Sequence, residues 1–193
     1  WGELKRDPGA SVIWGKKGGP LEGGDRVVQK DLAKTLQLIA DKGDAGFYEG
    51  PVAEAIEAAM KKYGGDITKA DLAAYHAKLR EPLKISYRGF TVETMPPPSM
   101  GGIAVAQTLL QLERLGAHSA KADSAQSIHL FVEATKRAYA DRRSVGADPD
   151  FYGDKVPPEL LPKLLSARYI VGRKPAVDPQ KATPASELLA AGA

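Results

Sequence analysis

Apolar residues three and four positions apart predict helices in the first part of the chain. Leu32, Leu36 and Ile39 lie on one face of the segment 29–42, and the segment 49–63 carries a similar stripe. A glycine follows each segment, and glycine readily adopts the left-handed conformation that ends many helices. We therefore predict two amphipathic helices whose apolar stripes face a core.

Capping chemistry predicts a third, shorter helix that begins at Thr68. In a capping box the threonine hydroxyl accepts from the backbone N–H of Asp71, and the aspartate accepts from the backbone N–H of the threonine. Residues 27–77 are thus expected to form a helical cluster. The glycine-rich residues 1–26 are expected to be a loop-rich lead-in, with residues 11–14 as a possible short segment.

Strict alternation of apolar and polar residues replaces the helical spacing at residues 83–95. The alternation continues on both sides of Arg88-Gly89, which predicts a β-hairpin with a glycine turn. Two strands alone are marginally stable in water. The hairpin is therefore expected to need a packed helix or a larger sheet, which suggests that the chain is part of something bigger.

A stiff connection follows the hairpin. Each proline has a fixed φ and lacks a backbone N–H, so residues 95–98 are predicted to leave the strand in an extended conformation. Gly101 and Gly102 allow a tight turn and a close backbone approach. Ser99 stands at the corner, but no Gly-x-Ser-x-Gly sequence surrounds it. The interpretation as a connector is therefore favoured over a catalytic role.

Further helices are predicted over residues 101–172. One runs from residue 103 to Leu115, and a longer one begins after Ser124. A short helix is expected to start at the prolines 157–158. The tail, residues 173–193, contains three prolines and is predicted to be extended or disordered. The residues that mark the longest helix are the apolar Ile128, Phe131, Val132 and Tyr139, together with Thr135.

Composition excludes several classes of function. The 193 residues are 43% hydrophobic and 26% charged, values typical of a soluble globular protein. The net charge of +3 comes from scattered basic residues, which argues against nucleic-acid binding. No apolar run approaches the roughly 20 residues of a membrane helix, and the first residues are not expected to be a signal peptide. Without cysteine, a disulfide, a thiol nucleophile and a cysteine-ligated metal are excluded.

The histidines and two of the tyrosines give no site. His76, His118 and His129 have no second histidine at the spacing of metal ligands, so none is predicted to bind a metal. Tyr48 and Tyr75 are interpreted as packing residues, each with one hydrogen-bonded hydroxyl. No metal and no organic cofactor is predicted.

Two acidic positions are weighed as catalytic groups. Asp148 and Asp150 flank a proline, and such a pair caps a turn more often than it catalyses a reaction. Asp141 and Arg142 lie on a predicted helix and are expected to be solvated or ion-paired. The residues alone therefore predict no catalytic, substrate-binding or metal-binding side chain.

Ordered motifs carry a resemblance to a known family. Pro96-Pro97-Pro98-Ser99-Met100-Gly101-Gly102 resembles the Pro-Pro-Pro-Ser-Ser-Gly-Gly segment of the γ-glutamyltranspeptidase (glutathione hydrolase) family, with Met100 where serine is usual. Five further segments follow the family order, so the resemblance extends from about Gly24 to about Phe151. They are Gly24-Asp25 with Gln29–Leu36, Gly46–Gly50, Gly64–Tyr75, Ala138–Arg142 and Gly146–Phe151.

The resemblance implies a fold and a mechanism. Members are N-terminal-nucleophile hydrolases with a four-layer αββα sandwich, and each precursor cuts itself into a large and a small subunit. The nucleophile is the threonine that begins the small subunit, within Thr-Thr-His, and its own amine can act as the base. Glycine amides form the oxyanion hole. The γ-glutamyl group passes to the threonine and then to water, an amino acid or a peptide.

This chain resembles the C-terminal half of such a large subunit, and the expected fold class is α+β: a mostly helical fragment of the sandwich with a hairpin. It contains no Thr-Thr-His and no match to the arginine motif that grips the substrate carboxylate. Thr183, in Thr-Pro-Ala-Ser, resembles the stretch shortly before the cleavage point. The implied partners are the rest of the large subunit, the small subunit and a γ-glutamyl substrate such as glutathione.

Two alternatives remain open. One is a related acylase that acts on γ-glutamyl or β-lactam side-chain amides. The other is a stand-alone, non-catalytic helical binding module, against which the incomplete hairpin argues. The family resemblance also suggests a periplasmic or extracellular location.

Overall fold

The computed structural model describes residues 1–17, 19–154 and 157–188, and the chain divides into two units between Lys78 and Leu79. The division falls between the predicted helical cluster and the predicted hairpin. The described residues are mostly helical with two small antiparallel sheets, so the fold class is α+β. Among them, no helix has the combination of length and apolar character that crossing a bilayer requires.

Near its start, the first unit has a short helix that includes the possible short segment predicted at residues 11–14 and begins three residues earlier. Asp7 accepts a hydrogen bond from the backbone of Ala10 (2.7 Å), and Pro8 occupies the first helical position, where its missing N–H is not needed. The expected loop-rich lead-in therefore contains a capped helix and a two-stranded pair. The elements of this unit are α1 (Pro8–Trp14), β1 (Gly15–Lys16), β2 (Gly19–Pro20), α2 (Lys30–Lys42), α3 (Ala45–Tyr48), α4 (Gly50–Tyr63) and α5 (Lys69–Ala73).

Local signals set the helix ends and packing in this unit. The capping box is confirmed, because Thr68 and Asp71 exchange both hydrogen bonds at the start of α5. α3 packs tightly on α2, since a Cβ at Gly46 would overlap the Leu38 carbonyl. The predicted core stripe of α2 is wrong for this chain by itself. Its residues remain exposed: Leu32 47%, Leu36 55% and Ile39 36%.

The second unit begins with the hairpin, formed by β3 (Leu83–Tyr87) and β4 (Phe90–Thr94). Arg88 and Gly89 both have positive φ, 51° and 84°, which suits the right-handed twist of a two-residue hairpin turn. The Arg88 N–H also donates to Glu113 Oε1 (2.7 Å), so the turn is fastened to the following helix. That helix supplies packing that two strands alone lack.

The connection to that helix differs from the predicted extended exit. The Ser99 N–H donates to the Pro96 carbonyl (3.2 Å), so the chain turns within the prolines. Gly101 and Gly102 do not form a turn but begin α6 (Gly101–Arg114). The predicted close approach is present, because a Cβ at Gly102 would overlap the Met95 carbonyl.

The core of the second unit surrounds α6. This helix packs against β3, β4 and the three later helices, and Met100, Ile103 and Leu164 form the centre of the core.

Single 3₁₀ turns occur at Leu4–Arg6, Ala117–Ser119 and Ala185–Glu187. The later helices are α7 (Ala125–Val145), α8 (Leu160–Leu165) and α9 (Ala167–Gly172).

α7 buries a face that the apolar pattern did not indicate. Small residues such as Ala134 and Ala138 are fully buried on it, together with charged ones, because α6 approaches there. The predicted apolar positions lie on the exposed side. Their exposures are Ile128 55%, Phe131 54%, Val132 44% and Tyr139 47%.

After α9 the described chain continues as an irregular segment, residues 173–188, which we call the strap. The sequence predicts an extended or disordered tail here, and in the structure specific hydrogen bonds anchor the strap along α7. The last five residues of the predicted tail, 189–193, lie outside the described residues.

Candidate functional site

A buried row of charged side chains runs along α7. Glu133, Arg137 and Asp141 recur every four residues, so they lie on one face of the helix. Each is at most 1% exposed. Charges in a protein interior are unfavourable unless they are paired and hydrogen-bonded. The ion pairs and hydrogen bonds of these three residues therefore show which segments the buried face of α7 contacts.

Glu133 is surrounded by cations. Arg137 Nη1 lies 2.7 Å from Glu133 Oε2, and Lys136 Nζ lies 2.7 Å from Glu133 Oε1. Burial alone would raise the pKa of Glu133, but hydrogen bonds from Lys136, Arg137 and Thr183 outweigh it and lower that pKa to about 2. The carboxylate is consequently ionised at neutral pH.

The same three residues of α7 hold Thr183 of the strap, and we call Glu133, Lys136 and Arg137 the clamp. The Thr183 N–H donates to Glu133 Oε1 (3.1 Å), and Arg137 Nη2 donates to Thr183 Oγ1 (3.1 Å). Lys136 Nζ donates to the Thr183 carbonyl. Arg137 Nη2 also donates to the Pro175 carbonyl (2.8 Å), so the clamp holds the strap at two points.

A second ion pair fastens the beginning of the strap. Arg173 Nη1 lies 2.7 Å from Asp141 Oδ1, and Gln107 of α6 donates to Asp141 Oδ2 (2.8 Å). Arg173 Nη2 donates to the Arg137 carbonyl (3.0 Å). Burial, followed by the charge of Asp141, raises the pKa of Tyr169, whose hydroxyl accepts from Arg173. Asp141 was predicted to be either solvated or ion-paired. In the structure it is ion-paired and buried.

A cavity of about 310 Å³ adjoins this network. Arg114, Arg137 and Arg173 contribute to its lining, together with Ala176 and Val177 of the strap. Arg137 is neutralised by Glu133, and Arg173 is neutralised by Asp141. The arrangement thus favours a structural network over a strongly cationic ligand site.

The structure gives Ser99 no catalytic partner. Its side chain is half-buried in the connection from β4 to α6. Within the described ranges, no acidic, basic or histidine side chain hydrogen-bonds to its hydroxyl. Its neighbour Met100 is buried in the core of the second unit. Ser99 therefore lies where a connector residue is expected.

Asp148 and Asp150 form a turn, as predicted. Asp148 Oδ1 accepts from the backbone N–H of Asp150 (3.0 Å). Both carboxylates face Arg80, with Arg80 Nη2 2.5 Å from Asp150 Oδ2 and 3.7 Å from Asp148 Oδ1. The pair therefore fastens the segment before β3 to the loop after α7.

The remaining candidates are also structural. His76 and His118 are exposed, whereas His129 Nε2 lies 2.7 Å from the carbonyl oxygen of Asp178 in the strap. The rings of Tyr48 and Tyr75 stack with centroids 5.1 Å apart. In the part of the chain that the structure describes, no three histidine or acidic side chains gather as metal ligands. Arg142 lies over the ring of Tyr139.

Sequence reasoning missed the clamp, although α7 carries a signal for it. Glu133, Arg137 and Asp141 are spaced by four and are interleaved with Ala134 and Ala138. Alanines on the same face as charges permit close helix packing, which buries those charges. The contacts with the strap bridge more than 30 residues of sequence and have no local signature.

Comparison with known proteins gives a consistent result. The family model described as Gamma-glutamyltranspeptidase matches residues 1–192. The chain is 43% identical over 185 residues to the "Glutathione hydrolase proenzyme" of Escherichia coli (strain K12), covering 96% of this chain and 31% of that protein. It is 39% identical to the "Acylase ACY 1 proenzyme" of Pseudomonas sp. (strain SE83), covering 94% of this chain and 32% of that protein.

Solved structures agree with the sequence matches. The chain superimposes on the crystal structure of Helicobacter pylori gamma-glutamyltranspeptidase with a TM-score of 0.80 and 37% identity, covering 96% of this chain and 52% of that chain. The chain therefore spans about a third of the curated relatives that it matches and about half of the chain in that crystal structure.

Proposed function

The chain belongs to the γ-glutamyltranspeptidase family, and we propose that it is part of the large subunit of an enzyme that transfers or hydrolyses γ-glutamyl groups. The observation that carries this proposal is the match of the family model to residues 1–192. The substrates are then γ-glutamyl amides such as glutathione, the compound in the name of the Escherichia coli relative. Because the chain covers 31% of that relative, the activity is assigned to the complete protein.

The catalytic threonine is assigned to a second chain, released when a precursor is cleaved. The word "proenzyme" in the names of the relatives supports this arrangement, and Thr-Thr-His does not occur in these 193 residues. The threonine oxygen takes the γ-glutamyl acyl group and the amine of the substrate leaves. Water or an acceptor amine then takes the acyl group from the threonine. No residue of this chain is assigned a catalytic or substrate-binding role.

The exposed side of α7 supports a role as one part of a larger fold. Phe131 and Ile128 are more than half exposed, and Val132 lies beside them on the same helix. Contiguous apolar surface of this kind is typical of a face that another element covers. On this proposal, the αββα sandwich formed with the rest of the large subunit and the small subunit covers it.

The hairpin supports the same conclusion. β3 and β4 form a two-stranded sheet, with Phe90 74% exposed at the turn. A two-stranded sheet has free edges that can accept further strands. We infer that the strands of the sandwich continue from this hairpin in the complete protein.

The 39% identity to an acylase proenzyme favours one second candidate, a side-chain acylase. Both reactions transfer an acyl group from an amide to a nucleophile, and they differ in the amide that is accepted. The side chains that would select the amide are not assigned to this chain. The two candidates are therefore distinguished by an assay with one substrate of each kind.

The test uses the full-length protein. Intact mass and N-terminal sequencing are expected to show two chains, the second beginning with threonine. The processed protein is expected to release p-nitroaniline from γ-glutamyl-p-nitroanilide and to leave the side chain of a cephalosporin intact. A matched preparation with alanine in place of that threonine should remain a single uncleaved chain and release no p-nitroaniline.

Two results would contradict the proposal. A full-length protein that stays uncleaved and inactive on both substrates would favour the binding module. Cleavage of the cephalosporin amide without γ-glutamyl release would assign the protein to the acylases.

A further inference from the structure

All three polar groups of Thr183 are held by the clamp. Its N–H, its carbonyl and its hydroxyl bind Glu133, Lys136 and Arg137 respectively. Thr183 is 8% exposed, although the strap around it is mostly exposed. Three contacts in different directions fix both the position and the orientation of one residue. The strap consequently leaves α7 from a defined point.

Such a clamp is more than packing requires. Replacing a buried ion pair by well-packed apolar residues is often neutral or stabilising, so a buried pair is weak support for a purely stabilising role. The best-attested use of buried polar groups is to fix which residues of two segments lie opposite each other, since each polar group is satisfied only by its own partner. Glu133, Lys136 and Arg137 match the one threonine of the strap through its main chain and its hydroxyl.

We propose that Glu133, Lys136 and Arg137 are positioning residues for the cleavage of the precursor, acting through Thr183. The proposal rests on the proposed function and on the resemblance of the segment at Thr183, Thr-Pro-Ala-Ser, to the stretch shortly before the cleavage point of the family. Each residue of extended chain spans at most about 3.3–3.6 Å, so a slip of one residue at Thr183 changes the reach of the chain that follows it by a comparable distance. A misplacement of about 1 Å is enough to slow a reaction strongly.

The chemical step is the hydrolysis of one peptide bond. The C–N bond before the catalytic threonine breaks, one water is consumed, and the products are a carboxylate on this side and an amine on the threonine. The clamp does not touch the reacting atoms. It holds the chain that leads to them.

The test is the rate of self-cleavage of the full-length precursor carrying Thr183→Val. Valine keeps the shape and both main-chain contacts but removes the hydroxyl that accepts from Arg137. Cleavage is expected to slow about tenfold, since tenfold corresponds to about 1.4 kcal/mol and a hydrogen bond to a charged group contributes about that much. Thr183→Ser keeps the hydroxyl and is expected to restore the wild-type rate.

α7 supplies a matched control. The Thr135 hydroxyl is buried and has no hydrogen-bond partner among the described residues. Thr135→Val makes the same chemical change close to the clamp without breaking a contact, and it should cleave at the wild-type rate.

Stability is separated from positioning by a second readout. The same variants are made in precursors whose catalytic threonine is alanine, and thermal unfolding is compared among these uncleavable forms. The proposal expects slow cleavage of Thr183→Val at temperatures where its uncleavable form is fully folded. Cleavage at the wild-type rate overturns it, and so does equal slowing by Thr135→Val. A wild-type precursor that never cleaves overturns the proposed function itself.

Discussion

Arg173 Nη1 lies 2.7 Å from Asp141 Oδ1, and the two side chains are 8% and 1% exposed. The pair joins the first residue of the strap to Asp141, the third charge of the buried row along α7. Gln107 of α6 donates a further hydrogen bond to the same carboxylate. Since the pair is buried and shared by three segments, removal of one partner leaves an uncompensated charge in the interior.

Asp141→Asn is expected to destabilise the full-length protein by about 3–5 kcal/mol, because Arg173 then stays buried and unpaired. Urea denaturation followed by circular dichroism measures the change. The double substitution Asp141→Leu with Arg173→Met should recover much of the loss, since it removes both charges together.

An exposed pair provides the comparison for that experiment. Lys84 and Glu93 lie 2.7 Å apart across the hairpin with both side chains more than half exposed. Glu93→Gln is expected to leave the urea midpoint almost unchanged, because exposed ion pairs contribute little. A similar loss from Asp141→Asn and Glu93→Gln would contradict our account of the buried pair.

Glu133 is expected to make the stability of the protein depend on acid pH. Its pKa falls from 4.5 to about 2 on folding. A carboxyl with a depressed pKa stabilises the folded state above its unfolded pKa and loses that contribution as pH falls through the folded value. The free energy of unfolding should therefore decrease between about pH 4.5 and about pH 2, by an amount on the order of 3 kcal/mol.

Urea midpoints between pH 2 and pH 7 test this dependence. Glu133→Gln should be less stable at pH 7 and should show a flatter profile below pH 4.5, since glutamine does not titrate. Glu93→Gln, at an exposed position, should retain the wild-type slope. If the slope survives in Glu133→Gln, the dependence comes from other carboxylates.

Two adjacent glycines at the start of α6 are expected to respond oppositely to alanine. A Cβ at Gly102 would overlap the Met95 carbonyl, whereas one at Gly101 would meet only Ser99 Oγ at 3.5 Å, an ordinary contact. Gly102→Ala should cost about 1–3 kcal/mol through overpacking. Gly101→Ala should be neutral or stabilise by up to about 1 kcal/mol, because alanine is the better helix former. Thermal unfolding of the two variants gives the comparison, and equal effects would disprove the close approach.

Local chemistry explains what the sequence could predict about the fold. The capping box of Thr68 and Asp71 depends on residues three apart, and the hairpin turn depends on Arg88-Gly89. The signal for helix α1 is equally local, since Asp7 is a favourable cap and Pro8 a favourable first residue. The many glycines nearby instead favoured the interpretation of the segment as a loop.

The clamp could not be predicted because its partners are distant and its composition is misleading. A row such as Glu133, Arg137 and Asp141 is usually a solvated helix face, while the apolar row with Phe131 is usually the buried one. In the second unit the two roles are reversed, since the alanines beside the charges admit α6 and the strap covers Glu133. On the proposed function, the apolar row is instead covered by parts of the complete protein that lie outside this chain.

The apolar side of α7 gives the last prediction, which concerns the complete protein. Phe131 is 54% exposed in this chain, and on the proposed function the rest of the sandwich covers it. This chain contains no cysteine, so Phe131→Cys introduces a single thiol into it. In the native full-length protein this thiol should react with a maleimide at least about tenfold more slowly than in urea, because a covered group reacts only when the structure opens. Lys121→Cys, in the exposed loop before α7, serves as the labelling control and should react quickly under both conditions. Fast native labelling at position 131 would mean that α7 faces solvent in the complete protein, and the partner surface would then have to be sought elsewhere on the chain.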